Sequence, residues 1–358
     1  MSKNIYKIIY FQVLALLLTV DLKIYGATPD IKNPSISPLR NVLSTVTAEH
    51  NILACSQILT NHIHQRRQET AVALHPVTVW GSAFGEYAHL KGKIEIPTSS
   101  IDTGGIVTGF DRTWEDSCFV GVALAYAFSS LHERKDAGKA DVNQGAINIY
   151  GEIICGKWYV DLSAFGGYYA SANVRHIVLP GVDENARATI HGWQLAPHFE
   201  VGYEGFLSKG MHSGWRGIEP FFLGDWIVDW EAGFQEKGAG IYDMGQKRRF
   251  CSLVRGEIGL RLEQAVIFNA GHLCFTEKGS YACHKPLNIG RITTFFVGSS
   301  DEFVLKAFRG VQSLGIVELS ISFLPKAKHI PNVELSCQAG FGSRYHMYQG
   351  SIDIFKSF

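Results

Sequence analysis

Between Trp193 and Gly205 the chain reads WQLAPHFEVGYEG, and its side chains alternate in kind. Trp193, Leu195, Pro197, Phe199, Val201 and Tyr203 fall on one face of an extended chain, and Gln194, His198, Glu200 and Glu204 on the other. A period of two held for thirteen residues outruns the usual strand of about five or six. Such a strand, apolar on one side and ionisable on the other, suits a barrel wall between lipid and a wet interior. The grammar recurs in Cys118–Phe128, Trp158–Tyr169, Val317–Phe323 and Val333–Phe341. Ile218–Trp230 carries Asp225 and Asp229 on its polar face, and Phe250–Glu263 carries Arg255, Glu257, Arg261 and Glu263. A cation turned toward lipid would cost ~2–4 kcal/mol at the midplane, so these groups are expected to line the lumen.

Twelve strands are expected, at about 77–90, 101–112, 117–130, 141–154, 157–171, 189–206, 215–230, 248–263, 269–284, 314–324, 332–342 and 346–358. Long links alternate with short ones for most of this run, the mark of an up-and-down barrel with tight turns at one rim. An even strand number leaves both chain ends at the short-turn, periplasmic rim. The longest links, 172–188, 231–247 and 285–313, are expected to be extracellular loops. Closure follows because an open edge in hydrocarbon would leave backbone groups unpaired. The expected fold is a closed, twelve-stranded, antiparallel transmembrane barrel over residues 76–358.

Before the barrel the period changes. Val42, Leu43, Val46, Ile52, Leu53, Ile58, Leu59 and Ile63 recur at mainly helical spacings through 40–68. The helix ends in a basic stretch, His62, His64, Arg66 and Arg67, which suits a helix C-terminus. A bore of twelve strands has room for one helix about 10 Å across. The helix is therefore expected inside, its basic end meeting Glu200, Glu204, Asp225 and Asp229. His62 and His64, two apart on a helix, face apart and do not suggest a metal. Lys3 and Lys7 followed by apolar Ile8–Val20 predict a signal peptide over 1–27, too short to span a bilayer. Residues 28–75 then comprise a proline-rich linker and the plug helix.

Composition changes little. Lysine plus arginine equal aspartate plus glutamate at 33 each, so nucleic acid is not an expected partner. Mean hydropathy is +0.04, against a helical membrane bundle and compatible with alternating strands. Seven cysteines lack any CxxC pair, so zinc has no support. Their odd number leaves a thiol open to another molecule, which makes disulfide-linked envelope proteins candidate partners.

The chain resembles the β-domain of autotransporters, the type V secretion family. The residues that carry the likeness are Trp80-Gly81-Ser82, GGIVTGFD at 104–111, VGVALAY at 120–126, PHFEVGY at 197–203 and the final Phe358. The resemblance implies a translocator pore in the outer membrane of a Gram-negative-type bacterium, through which an N-terminal segment threads. It also implies that Phe358 is the signal read by the barrel-assembly machinery. Only 48 residues, 28–75, precede the first strand after the signal peptide, so the passenger is expected to be very short or absent. The Asn-Asn pair at which some members cut their linker is absent.

Two other classes stay open. The long loops would serve a surface adhesin or structural envelope protein. A barrel enzyme would use acid and histidine pairs such as His198 with Asp225 and Asp229, but these fall in mid-strand, where wall carboxylates are expected anyway. Gly104, Gly105 and Gly109 have no helix after them and do not make a phosphate loop. No catalytic residue, metal or cofactor is expected.

Overall fold

The computed structural model describes residues 43–70, 77–92, 98–114, 117–134, 138–205, 215–288, 292–299, 301–305, 312–327 and 329–358. The expected signal peptide, 1–27, and the linker ahead of the helix lie outside them. Among the described residues one α-helix, α1 (Leu43–Thr70), precedes sixteen strands. These are β1 (Val77–Leu90), β2 (Ser99–Trp114), β3 (Cys118–Glu133), β4 (Gly138–Cys155), β5 (Trp158–Leu179), β6 (Val182–Tyr203), β7 (Trp215–Glu231) and β8 (Phe234–Gln235). They continue with β9 (Met244–Gln246), β10 (Arg249–Phe268), β11 (Gly271–Asn288), β12 (Ile292–Phe296), β13 (Glu302–Leu305), β14 (Gln312–Pro325), β15 (Asn332–Gly342) and β16 (Tyr345–Ser357).

Twelve of the strands close into an antiparallel barrel, in which the first strand pairs with the last from Thr78↔Ser357 to Leu90↔Tyr345. No sheet edge is left in this ring, which satisfies the backbone of a wall in lipid. The alternation reads directly as inside and outside. On β6, Trp193 is 63% exposed, whereas Gln194, His198 and Glu200 are buried in the lumen. Outward aromatic residues meet across strands near both rims: Tyr168, Trp193, Trp230 and Phe250 by one, Trp158 and Tyr203 by the other. Two such belts mark the interfaces of a membrane-spanning band.

The expected loop at 172–188 is corrected. β5 and β6 each run for 22 residues and meet at Pro180 and Gly181, the latter in the left-handed region at φ 82°. About 9–11 residues suffice to cross the bilayer, so this hairpin projects well beyond it. The other two long links are also folded in part. β13, β12, β9 and β8 form a small separate sheet, attached to β6 through an Arg187↔Lys237 bridge. Arg175 on β5 grips Glu236 of this cap with Nε at 3.0 Å and Nη2 at 2.5 Å.

Candidate functional site

The bore is filled by α1. Its C-terminal end lies at the rim where β1 begins and β16 ends, and its N-terminal part points toward the cap. His50 accordingly meets Glu86 on β1 and Tyr345, the first residue of β16. Seventeen residues later Arg67 meets Glu152 and Asp161 near the opposite rim, a travel of about 25 Å at the α-helical rise. The apolar residues of the helix pack onto the wall together, with polar residues such as Asn51 and His62 between them. Ile52, Ala54, Cys55, Ile58, Leu59 and Ile63 join one buried cluster with wall residues that include Trp80, Phe84, Phe119, Ala123 and Phe165.

Glycine lets large lumen aromatics lie flat against the wall. A Cβ at Gly121 would collide with the ring of Tyr150, and one at Gly202 with Tyr159. Both tyrosines then hold the basic end of α1. Trp80 Nε1 donates to the Tyr150 hydroxyl at 2.7 Å, and that hydroxyl donates to Asp111 at 3.2 Å. His62 stacks on Trp80 at 4.0 Å between ring centres, with its Nε2 3.0 Å from Asp111. Arg66 Nε donates to the same carboxylate at 2.8 Å. Arg67 lies 3.3 Å over the Tyr159 ring, its guanidinium 2.5 Å from Glu152 and 3.0 Å from Asp161.

The expected partners of the basic end are therefore corrected. Of the four carboxylates named for it, Glu204 reaches Arg67 at 3.5 Å. Glu200 is instead clamped by Arg261 at 2.6 and 2.9 Å. Asp225 sits higher in the bore, 2.8 Å from His198 Nδ1 and 3.4 Å from both Arg255 Nη1 and the Ser56 hydroxyl of α1. Asp229 is higher still, accepting from Gln194 at 2.7 Å and Tyr169 at 3.1 Å. Glu257 pairs with Arg255 and with Lys278 at 3.0 Å. Sequence reasoning did not single out Asp111, Glu152 or Asp161 as partners. Their inward phase near the periplasmic strand ends was the available signal.

His64, Glu219 and Glu263 bring ligand-type atoms within 4.8 Å of one another. The imidazole stands between the carboxylates, Nε2 2.8 Å from Glu263 and Nδ1 3.9 Å from Glu219. A single ion cannot take both ring nitrogens, and Glu219 is already engaged by Arg261 at 2.7 Å and by the Tyr159 hydroxyl at 2.6 Å. The cluster reads as an ion-paired bridge from helix to wall. Cys55 is buried in the helix, and Cys155 and Cys337 are exposed.

A closed twelve-stranded barrel with an outward apolar band and a helix threaded through its lumen is an outer-membrane architecture. The family model for the autotransporter beta-domain matches residues 79–295, more than half of the chain, and the chain belongs to that family. Among solved structures it is similar to the translocator domain of the autotransporter NalP from Neisseria meningitidis. That likeness has 12% identity and a TM-score of 0.66, over 89% of this chain and 99% of that one. The beta domain of the Bordetella autotransporter BrkA gives 15% identity and a TM-score of 0.55, covering 79% and 100%. The transport unit of AIDA-I from Escherichia coli gives 10% and 0.54, covering 90% and 100%. At these identities the structures speak for the fold alone. No curated protein matches the sequence. Family and fold together locate the chain in the Gram-negative outer membrane, with its lipid as the solvent of the outer wall.

Proposed function

We propose that the barrel is the translocator of its own N-terminal segment, with α1 as the part that stays in the pore. The observation that carries this reading is the direction of the helix. Its C-terminal end is held by Asp111, Glu152 and Asp161 at the rim from which β1 departs, so α1 begins on the cell-surface side of the bore. The basic end also lies at the negative pole of the helix, which favours it further. An epitope inserted between residues 36 and 39 should be reached by antibody on intact cells. Detection only after permeabilisation would refute the reading.

A second reading, adhesion through the cap, is favoured by one observation: the link segments fold into a sheet braced by the buried Arg175–Glu236 pair. A folded cap presents a fixed surface, and shortening 236–243 should then abolish host-cell binding while the barrel persists. We read His198 and Asp225 as wall groups, since Asp225 is shared among His198, Arg255 and the plug. Phe358, on the outward phase of the last strand, is the proposed contact for the barrel-assembly machinery. Cys155, exposed beside the β4–β5 turn, is the thiol we propose for linkage to envelope proteins.

A further inference from the structure

We propose that the outer face of the seam between β16, β1 and β2 is a binding groove for one anionic glycerophospholipid of the periplasmic leaflet. On the outer face of β1 the small residues Gly81 and Ala83 sit in register between larger neighbours, Ile354↔Gly81↔Thr108 and Ile352↔Ala83↔Ile106. The result is a dent of about 520 Å³ in the lipid-facing wall, open along its length, and Lys356 is part of its lining. Val79, Ile106, Ile352 and Ile354 are well exposed beside it, so its walls suit an acyl chain.

The charge tells which lipid and which leaflet. Lys356 shares the outward phase with Ile352 and Ile354, where a cation at the midplane would be penalised. It stands instead one residue from the end of β16, at the periplasmic rim. Its Nζ lies 5.3 Å over the Phe358 ring and 3.5 Å from the carbonyl oxygen of His329, at the level of the β14–β15 turn. That turn also carries exposed Lys326. A cation at the interface end of an apolar groove matches a phosphate joined to an acyl chain, whereas the groove alone would accept any hydrocarbon. The reading concerns the outer wall and does not depend on what passes through the pore.

The test uses the full chain in liposomes doped with a diazirine-bearing acyl chain on either phosphatidylglycerol or phosphatidylcholine. Labelled peptides are mapped by mass spectrometry, and folding is checked by heat-modifiable migration. With phosphatidylglycerol, residues 79–83, 106–108 and 352–356 should label more heavily than the lipid-facing stretch 120–128. Lys356→Glu should lower that labelling at least about fivefold, the factor that corresponds to ~1 kcal/mol for one lysine at an anionic surface. Labelling by phosphatidylcholine should stay as it was, and Lys356→Arg should retain the preference. Lys356→Met provides the same measurement if the glutamate variant does not fold. Even labelling around the barrel, or equal loss for both lipids, would overturn the proposal.

Discussion

The two sides of the bore hold the helix by different physics. On the dry side, centred on β1 to β5 and joined by Ala196, Ile227 and Phe355 from β6, β7 and β16, apolar residues of α1 meet aromatic and aliphatic residues of the wall. The medium displaced there is lumen water, so the hydrophobic effect operates as it would in a soluble core. On the side of β6, β7, β10 and β11, the wall mostly neutralises itself: Glu200 with Arg261, Glu231 with Arg249, Asp225 with Arg255, and Glu257 with Lys278. At the foot of the dry side the pattern inverts, because the cations on Asp111, Glu152 and Asp161 come from the helix. One half of the wall pairs most of its own charges, with His64 of the plug bridging Glu219 and Glu263, and the other half has its charges answered by the plug.

Removing residues 28–75 should have the largest effect on this division. Conductance in a planar bilayer should rise, since the filled lumen becomes water, and the self-paired side should keep the barrel folded on a heat-modifiability gel. Unchanged conductance would break the plug assignment. Next comes Arg67→Ala against Arg261→Ala. Each strips buried carboxylates of their nearest guanidinium, a loss of about 3–5 kcal/mol. The first should loosen the plug and raise the frequency of channel opening while the barrel stays as stable as the plugless form. The second should lower barrel stability in urea whether or not residues 28–75 are present. If both variants behaved alike in the plugless background, the two sides would not differ as described.

Most of the wall was legible because lipid enforces a period of two, and strands such as 77–90 and 332–342 end where the alternation does. The helix was legible from its own spacing, 40–68 expected and 43–70 found. Its partners were not. Which carboxylate meets Arg67 depends on the height and rotation of α1 in the bore, and those follow from how Trp80, Tyr150 and Tyr159 pack. Residues 172–188 read as a loop because Asp183, Glu184 and Asn185 break the apolar phase. A hairpin that has left the membrane needs no apolar outer face, so the pattern that identifies strands in lipid is silent there.

Tyr150 and Tyr159 allow a finer cut. Gly121→Ala places a methyl group against the Tyr150 ring, an overpacking that costs about 1–3 kcal/mol. Displacing Tyr150 also disturbs Trp80 and Asp111, so the loss should be accompanied by easier channel opening. A stability loss with no change in gating would mean that the aromatic shelf serves the wall and not the plug.

The smallest expected effect isolates the dry side. Ile58 is buried at 1% exposure and belongs to the apolar cluster that joins α1 to the wall. Ile58→Val removes one methylene from that contact, about 0.5–1.5 kcal/mol, and leaves every ion pair in place. Because the alternative state of this surface is water-filled lumen, the loss should appear in the opening equilibrium of the pore, as a several-fold rise in open probability that added salt does not alter. The Arg67 variant reports on charge and should respond to ionic strength. Salt dependence in Ile58→Val would show that the hydrophobic cluster does not act independently of the basic foot, and the division between the two sides would have to be redrawn.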